Sequence, residues 1–106
     1  MAQQETQGSV SMWADETFGA PSSNMSIGTR ANEEMAELLR ALAKGKSNDE
    51  VATEVADVVI VLYRLADRLG VDLGEAIDRK MRINRARRWN VGADGHGYHV
   101  KASAES

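Results

Sequence analysis

The chain has 106 residues, the length of one small domain, and its 42% apolar and 27% charged residues exclude wholesale disorder. The absence of cysteine excludes disulfide staples, thiolate metal sites and thiol nucleophiles together. A net charge of -3 argues against a dedicated nucleic-acid binder, whose affinity comes largely from phosphate neutralisation, and no apolar run reaches the roughly 18 residues of a bilayer span.

The N-terminal MAQQETQGSV has neither a basic start nor an apolar stretch, so no secretory signal is expected. The expectation is a soluble cytoplasmic protein with neither nucleic acid nor membrane as partner. A core this small is marginal alone, which points to oligomerisation. Residues 1–24 read as an irregular N-terminal arm, with at most one helical turn at 13–18 presenting Trp13 and Phe18, and GAPSSN supplies turn chemistry. A long helix is predicted from about Ser23 to Ala43, where Met35, Leu38, Leu39 and Leu42 form an apolar stripe and Lys44-Gly45 stops it. Ser47 with Glu50 forms a capping-box pattern that opens a second helix. Its seam is Val51, Val55, Val58, Leu62, Leu65 and Leu69, and Gly70 ends it. Asp72 with Glu75 opens a third helix, expected to reach Trp89. Residues 25–89 thus form a helical domain, and 90–106 a glycine-rich C-terminal tail holding both histidines, His96 and His99. Three helices with short links imply antiparallel neighbours, hence an all-α bundle whose uncovered apolar face is completed by a partner copy.

Four carboxylates stand where water is scarce. Val55 to Tyr63 is apolar except for Asp57, and Glu54 lies one turn earlier, about 60° away around the helix. Glu34 and Glu37 repeat the spacing beside the stripe of the first helix. If the two seams pack antiparallel, the pairs converge, and gathering such charges without a cation costs several kcal/mol per ion, in order of magnitude. An all-oxygen cage suits Mg²⁺ or Mn²⁺. The alternative is a structural network with Arg30, Arg64 or Arg68, which makes the chain a non-enzymatic helical interaction module. Ferritin-like di-iron chemistry is set aside, because it needs Glu-x-x-His on helices and both histidines lie in the tail. In the third helix Lys80, Asn84 and Arg87 fall at i, i+4 and i+7, one face able to grip a polyphosphate. Trp13 and Asn24 in the arm offer a stacking face and an amide that can read a base edge; the plainer reading packs Trp13 onto the bundle. GADGHG at 92–97 lacks both the GxxxxGK[ST] pattern and a following helix, and is not read as a phosphate loop.

The motif EExxE at Glu33-Glu34-Met35-Ala36-Glu37, then ExxD at Glu54-Val55-Ala56-Asp57, resembles the metal signature of the MazG-like all-α nucleoside triphosphate pyrophosphohydrolases. KMRINRARRW resembles that family's third-helix signature, and the resemblance covers about residues 30–89. It implies a dimer or a tetramer, with Mg²⁺ (or Mn²⁺) held by Glu34, Glu37, Glu54 and Asp57. It also implies cleavage of a (d)NTP to the monophosphate and pyrophosphate, with water attacking the α-phosphorus and Glu33 or Glu37 orienting it. Lys80 and Arg87 then hold the β- and γ-phosphates, while Asn84 bonds a phosphate or the sugar. The short stand-alone members that the chain resembles include phage-encoded ones acting on dGTP, which makes dGTP the first substrate to expect.

Overall fold

A computed structural model describes residues 2–92 and 94–100, apart from the side chain of His99; the remainder of the predicted tail, 101–106, lies outside the described residues. The chain divides into two compact units on either side of the Leu73–Gly74 bond.

The first unit holds three helices, α1 (Gln7–Phe18), α2 (Asn24–Ala43) and α3 (Asn48–Arg68). The predicted irregular arm is corrected by α1, a 12-residue helix. Its start is a reciprocal cap: the Ser9 amide donates to the Thr6 hydroxyl at 3.1 Å and the Thr6 amide to the Ser9 hydroxyl at 2.7 Å. Serine in the place usually taken by Glu or Gln hides this capping box in the sequence. Tertiary contact does the rest, as expected for a short helix of modest propensity. Ser11 and Ala14 are buried on its face toward α3, and the Gln7 amide donates to the Val71 carbonyl at 2.7 Å while its oxygen accepts from the Leu73 amide at 2.8 Å.

The other two helices begin and end within a residue or two of the expected bounds. Ser23 and Ser26 cap α2 reciprocally, and Ser47 accepts the Glu50 amide at 3.2 Å to start α3. After α3 the chain turns through Gly70 at φ +71°, a left-handed conformation that glycine adopts without a Cβ penalty. The Val71 amide reaches back to the Ala66 carbonyl at 3.0 Å and closes the helix end. Packing of α2 on α3 dominates the unit, with α1 laid on α3. The buried apolar residues are small in number: Ala14, Ile27 and Ala66. Much of both predicted seams stays open to solvent, including Leu39 and Leu42 at 55% and Leu69 at 54% exposure.

In the second unit α4 (Leu73–Ala86) stops three residues short of the predicted end, and Trp89–Val91 (β1) pairs antiparallel with Gly97–His99 (β2). Part of the predicted tail is therefore a hairpin. The Trp89 indole donates to the Asn84 carbonyl at 2.8 Å, which ties β1 to the end of α4. The loop spends its own backbone groups: the Gly92 amide bonds the His96 carbonyl at 2.7 Å, and the Gly95 amide bonds the Gly92 carbonyl at 3.0 Å. A Cβ on Gly92 would stand 2.9 Å from the Tyr98 ring, so the turn needs glycine there. These internal bonds agree with a turn rather than a phosphate cradle.

Candidate functional site

Antiparallel packing of α2 and α3 brings Glu34 against Glu54 and Asp57. Each offers a carboxylate oxygen, all within 4.8 Å of one another, and all three side chains are half-buried. The i, i+3 spacing of Glu54 and Asp57 places both on the α2 side of α3. Glu37 is not part of this trio: it is exposed and bonds Arg40 at 2.5 Å, although it lines a second, smaller cavity together with Glu54. Glu33 is exposed as well and bonds Arg30 at 2.9 Å.

Arg30 is the cation that reaches the trio, its guanidinium lying 2.7 Å from Glu34, whose side chain is only 14% exposed. Its pKa is raised, first by the hydrogen bond to Glu33, then by the charge of Glu34, with a smaller pull from Asp57 and burial opposing. Among the described residues neither Glu54 nor Asp57 forms an ion pair. The donor set is thus three hard oxygens, two of them without a protein cation, and it fits a divalent ion such as Mg²⁺ or Mn²⁺.

A cavity of about 430 Å³ opens beside the carboxylates. Trp13 and Phe18 form its wall on α1, Arg30 and Glu34 its border on α2, and Asp57, Ile60 and Arg64 its side on α3. The two aromatic rings stand edge to face with centroids 5.5 Å apart, and the Arg64 guanidinium lies 6.0 Å from the Phe18 centroid. Arg64 also bonds Asp15 at 3.2 Å and the Gly19 carbonyl, while Arg68 bonds the Pro21 carbonyl at 2.7 Å and the Asn24 amide oxygen at 2.8 Å. These two arginines clamp the α1–α2 link to α3, and so fix the aromatic wall beside the carboxylates. Asn24, predicted with Trp13 to read a base, serves the clamp and does not line this cavity.

The sequence reading set Phe18 beside Trp13 on one helical turn but gave neither Phe18 nor Arg64 a place in a pocket, and it passed over Ile60. A signal existed for Arg64, seven residues after Asp57 and so on the same face. Phe18 lies on the helical turn foreseen at 13–18, but the contacts that fix its ring beside the cavity come from Arg64, distant in sequence.

In the second unit Lys80 is exposed on α4 and Arg87 half-buried. The predicted single face is interrupted: α4 ends at Ala86, so Arg87 leaves the helix, though its amide still bonds the Asn84 carbonyl at 3.2 Å. The Asn84 side chain donates to the Met81 sulfur at 3.8 Å, and its buried oxygen has no hydrogen-bond partner in the structure.

Helical packing with a three-carboxylate cage next to an aromatic-walled cavity defines a class of all-α proteins equipped for a divalent ion and a small organic ligand. The MazG-like family model matches residues 32–98, and the chain belongs to that family. It is 44% identical over 71 residues to a dATP/dGTP diphosphohydrolase of Cyanophage S-2L, an alignment covering 67% of this chain and 63% of the relative. A dATP/dGTP diphosphohydrolase of Salmonella phage PMBT28 is 36% identical over 91 residues, covering 86% of this chain and 29% of the relative. The matches thus span less than two thirds of either relative's length. Among solved structures, the Cyanophage S-2L MazG-like pyrophosphohydrolase bound to dGDP and three catalytic Mn²⁺ ions per active site aligns with a TM-score of 0.71 at 33% identity, over 90% of this chain and 93% of that one.

Proposed function

We propose that the chain is a metal-dependent nucleoside triphosphate pyrophosphohydrolase that converts a purine (d)NTP, dGTP foremost, to the monophosphate and pyrophosphate. The observation that carries this reading is the trio of Glu34, Glu54 and Asp57, two of whose members, Glu34 and Asp57, line the Trp13–Phe18 cavity. The activities of the two phage relatives and the dGDP and Mn²⁺ of the solved one support the substrate class and the metal. Glu34, Glu54 and Asp57 hold Mg²⁺ or Mn²⁺. When bound, the metal neutralises phosphate charge and lowers the pKa of water for attack on the α-phosphorus. Trp13 stacks on the base, and the apolar wall with Phe18 and Ile60 keeps water from it. Of the two carboxylates outside the trio, Glu37 is the better candidate to orient the attacking water, because it shares a cavity with Glu54; Glu33 is the other. Lys80 and Arg87 carry the amine and guanidinium that suit the β- and γ-phosphates, and Asn84 an amide that suits a phosphate or the sugar. The exposed seam residues Leu39, Leu42 and Leu69 favour a dimer or a tetramer. Among the described residues no helix is long and apolar enough to cross a membrane, and the phage relatives favour a phage-encoded enzyme working in the bacterial cytoplasm.

The rival reading, an interaction module whose carboxylates are held by arginines, accounts for Glu34 and leaves Glu54 and Asp57 without an ion pair among the described residues. The deciding experiment incubates the protein with each of the eight common NTPs and dNTPs, with Mg²⁺ and then Mn²⁺, and separates the products by ion exchange. The expected result is dGMP plus pyrophosphate from dGTP. Orthophosphate release, or no turnover of any of the eight by folded, metal-loaded protein, rejects the proposed reaction. Trp13→Ala is expected to raise the KM for dGTP by about ten- to a hundredfold, the worth of one stacked base, while changing kcat little. An unchanged KM would return Trp13 to a packing role.

A further inference from the structure

Arg30 stands between the cavity and the carboxylates. It lies one helical turn before Glu34, borders the cavity with Trp13 and Phe18, and divides its guanidinium between Glu33 at 2.9 Å and Glu34 at 2.7 Å. The two ends of the Arg30–Glu34 pair differ: Glu34 is 14% exposed and Arg30 61%. The carboxylate is fixed in the helix interface, while the cation is solvated and able to leave. Three like charges within 4.8 Å share one arginine, too little for a closed salt-bridge network but enough to temper their repulsion while no metal is present.

We infer that Arg30 is the displaceable counter-cation of the carboxylate site: it pairs with Glu34 in the metal-free protein, yields Glu34 to the divalent ion, and turns its freed guanidinium to a phosphate oxygen of the nucleotide in the cavity. This rests on the metal-dependent nucleotide reading above. The planar fork of arginine serves a carboxylate and a phosphate equally well, so the exchange needs a change of rotamer rather than of backbone. Two consequences follow from the exchange of partners. Metal alone binds less tightly than it would to the trio without Arg30, since it must expel a cation and then sit near it. Nucleotide tightens metal binding, and metal tightens nucleotide binding by the same factor, because the phosphate gives the expelled guanidinium a new partner.

The test is calorimetric titration of Mn²⁺ into the wild type, Arg30→Gln and Arg30→Lys, each without nucleotide and with saturating dGMP as the probe. Arg30 is exposed on a long helix, so both variants are expected to fold, and circular dichroism checks this. Without nucleotide, Arg30→Gln is expected to bind Mn²⁺ about tenfold more tightly than the wild type, and the gap should shrink as salt is raised. Arg30→Lys, which keeps the charge, should stay within about threefold of the wild type. With dGMP, the wild type should gain severalfold more Mn²⁺ affinity than Arg30→Gln does. The metal-free thermal midpoint of Arg30→Gln should fall, because the trio has lost its arginine. Equal Mn²⁺ affinities in wild type and Arg30→Gln, with equal gains from dGMP, would overturn the role of Arg30 and leave the metal site standing. No Mn²⁺ binding by any of the three proteins would overturn the metal site, and this inference with it.

Discussion

Asp57→Asn is expected to reduce pyrophosphate release from dGTP by about a thousandfold or more, with the helical circular dichroism signal unchanged. The substitution keeps the shape of the side chain and removes one of the three charged oxygens offered to the ion. A thousandfold loss corresponds to about 4 kcal/mol of barrier, within the several kcal/mol that a bound metal supplies to a developing phosphate charge. Stability should move the other way or not at all. Asp57 forms no ion pair among the described residues, and its neutral analogue relieves the repulsion with Glu34 and Glu54. The interaction-module reading expects the reverse, an unfolded or weakened protein, because removing one member of a half-buried charge network strands the others. Comparing steady-state turnover with a thermal melt of the same preparation separates the two.

Mn²⁺ or Mg²⁺ is expected to raise the thermal midpoint strongly. A ligand that binds the folded state alone stabilises it by RT ln(1 + [L]/Kd), about 2.7 kcal/mol at a hundredfold excess over Kd. For a chain of this length that amounts to a shift of about 10–20 °C. The shift should vanish in Asp57→Asn and reverse on adding EDTA to the wild type. A melt that ignores the metal at millimolar concentration would sink the cage, whatever the activity assays gave. Because the buried apolar residues among the described ones are only Ala14, Ile27 and Ala66, so small an internal core gives the metal an unusually large share of the stability.

The long helices were legible because their signals are local. Ser47 as a cap, Gly45 and Gly70 as stops, and the apolar stripes act within a few residues, and a cap or a left-handed glycine works much the same in any context. The acidic pairs were legible for the same reason: i, i+3 spacing puts Glu54 and Asp57 on one face before any partner is known. What failed was α1 and the end of α4. A helix of 12 residues that opens on Gln-Gly-Ser has little propensity of its own. It is held by Gln7 on the α3–α4 link, by Ser11 and Ala14 against α3, and by the arginine clamp at its far end, all contacts between residues distant in sequence. The stop at Ala86 likewise depends on a strand pairing, Trp89 with His99, that no short window contains.

The amino-acid sequence by itself therefore determined the two long helices, the family and the residues that gather charge, since caps, periodicity and motif spacing are properties of neighbouring residues. Only the tertiary structure decided which carboxylates meet, leaving Glu37 with Arg40 while Glu34 joins Glu54 and Asp57. It alone also built the cavity from Trp13, Phe18 and Arg64 and put Arg30 at its edge. The physical reason is that meeting depends on the height and rotation at which one helix packs on another. Those are set by all the side chains in the interface together and by none of the helices alone.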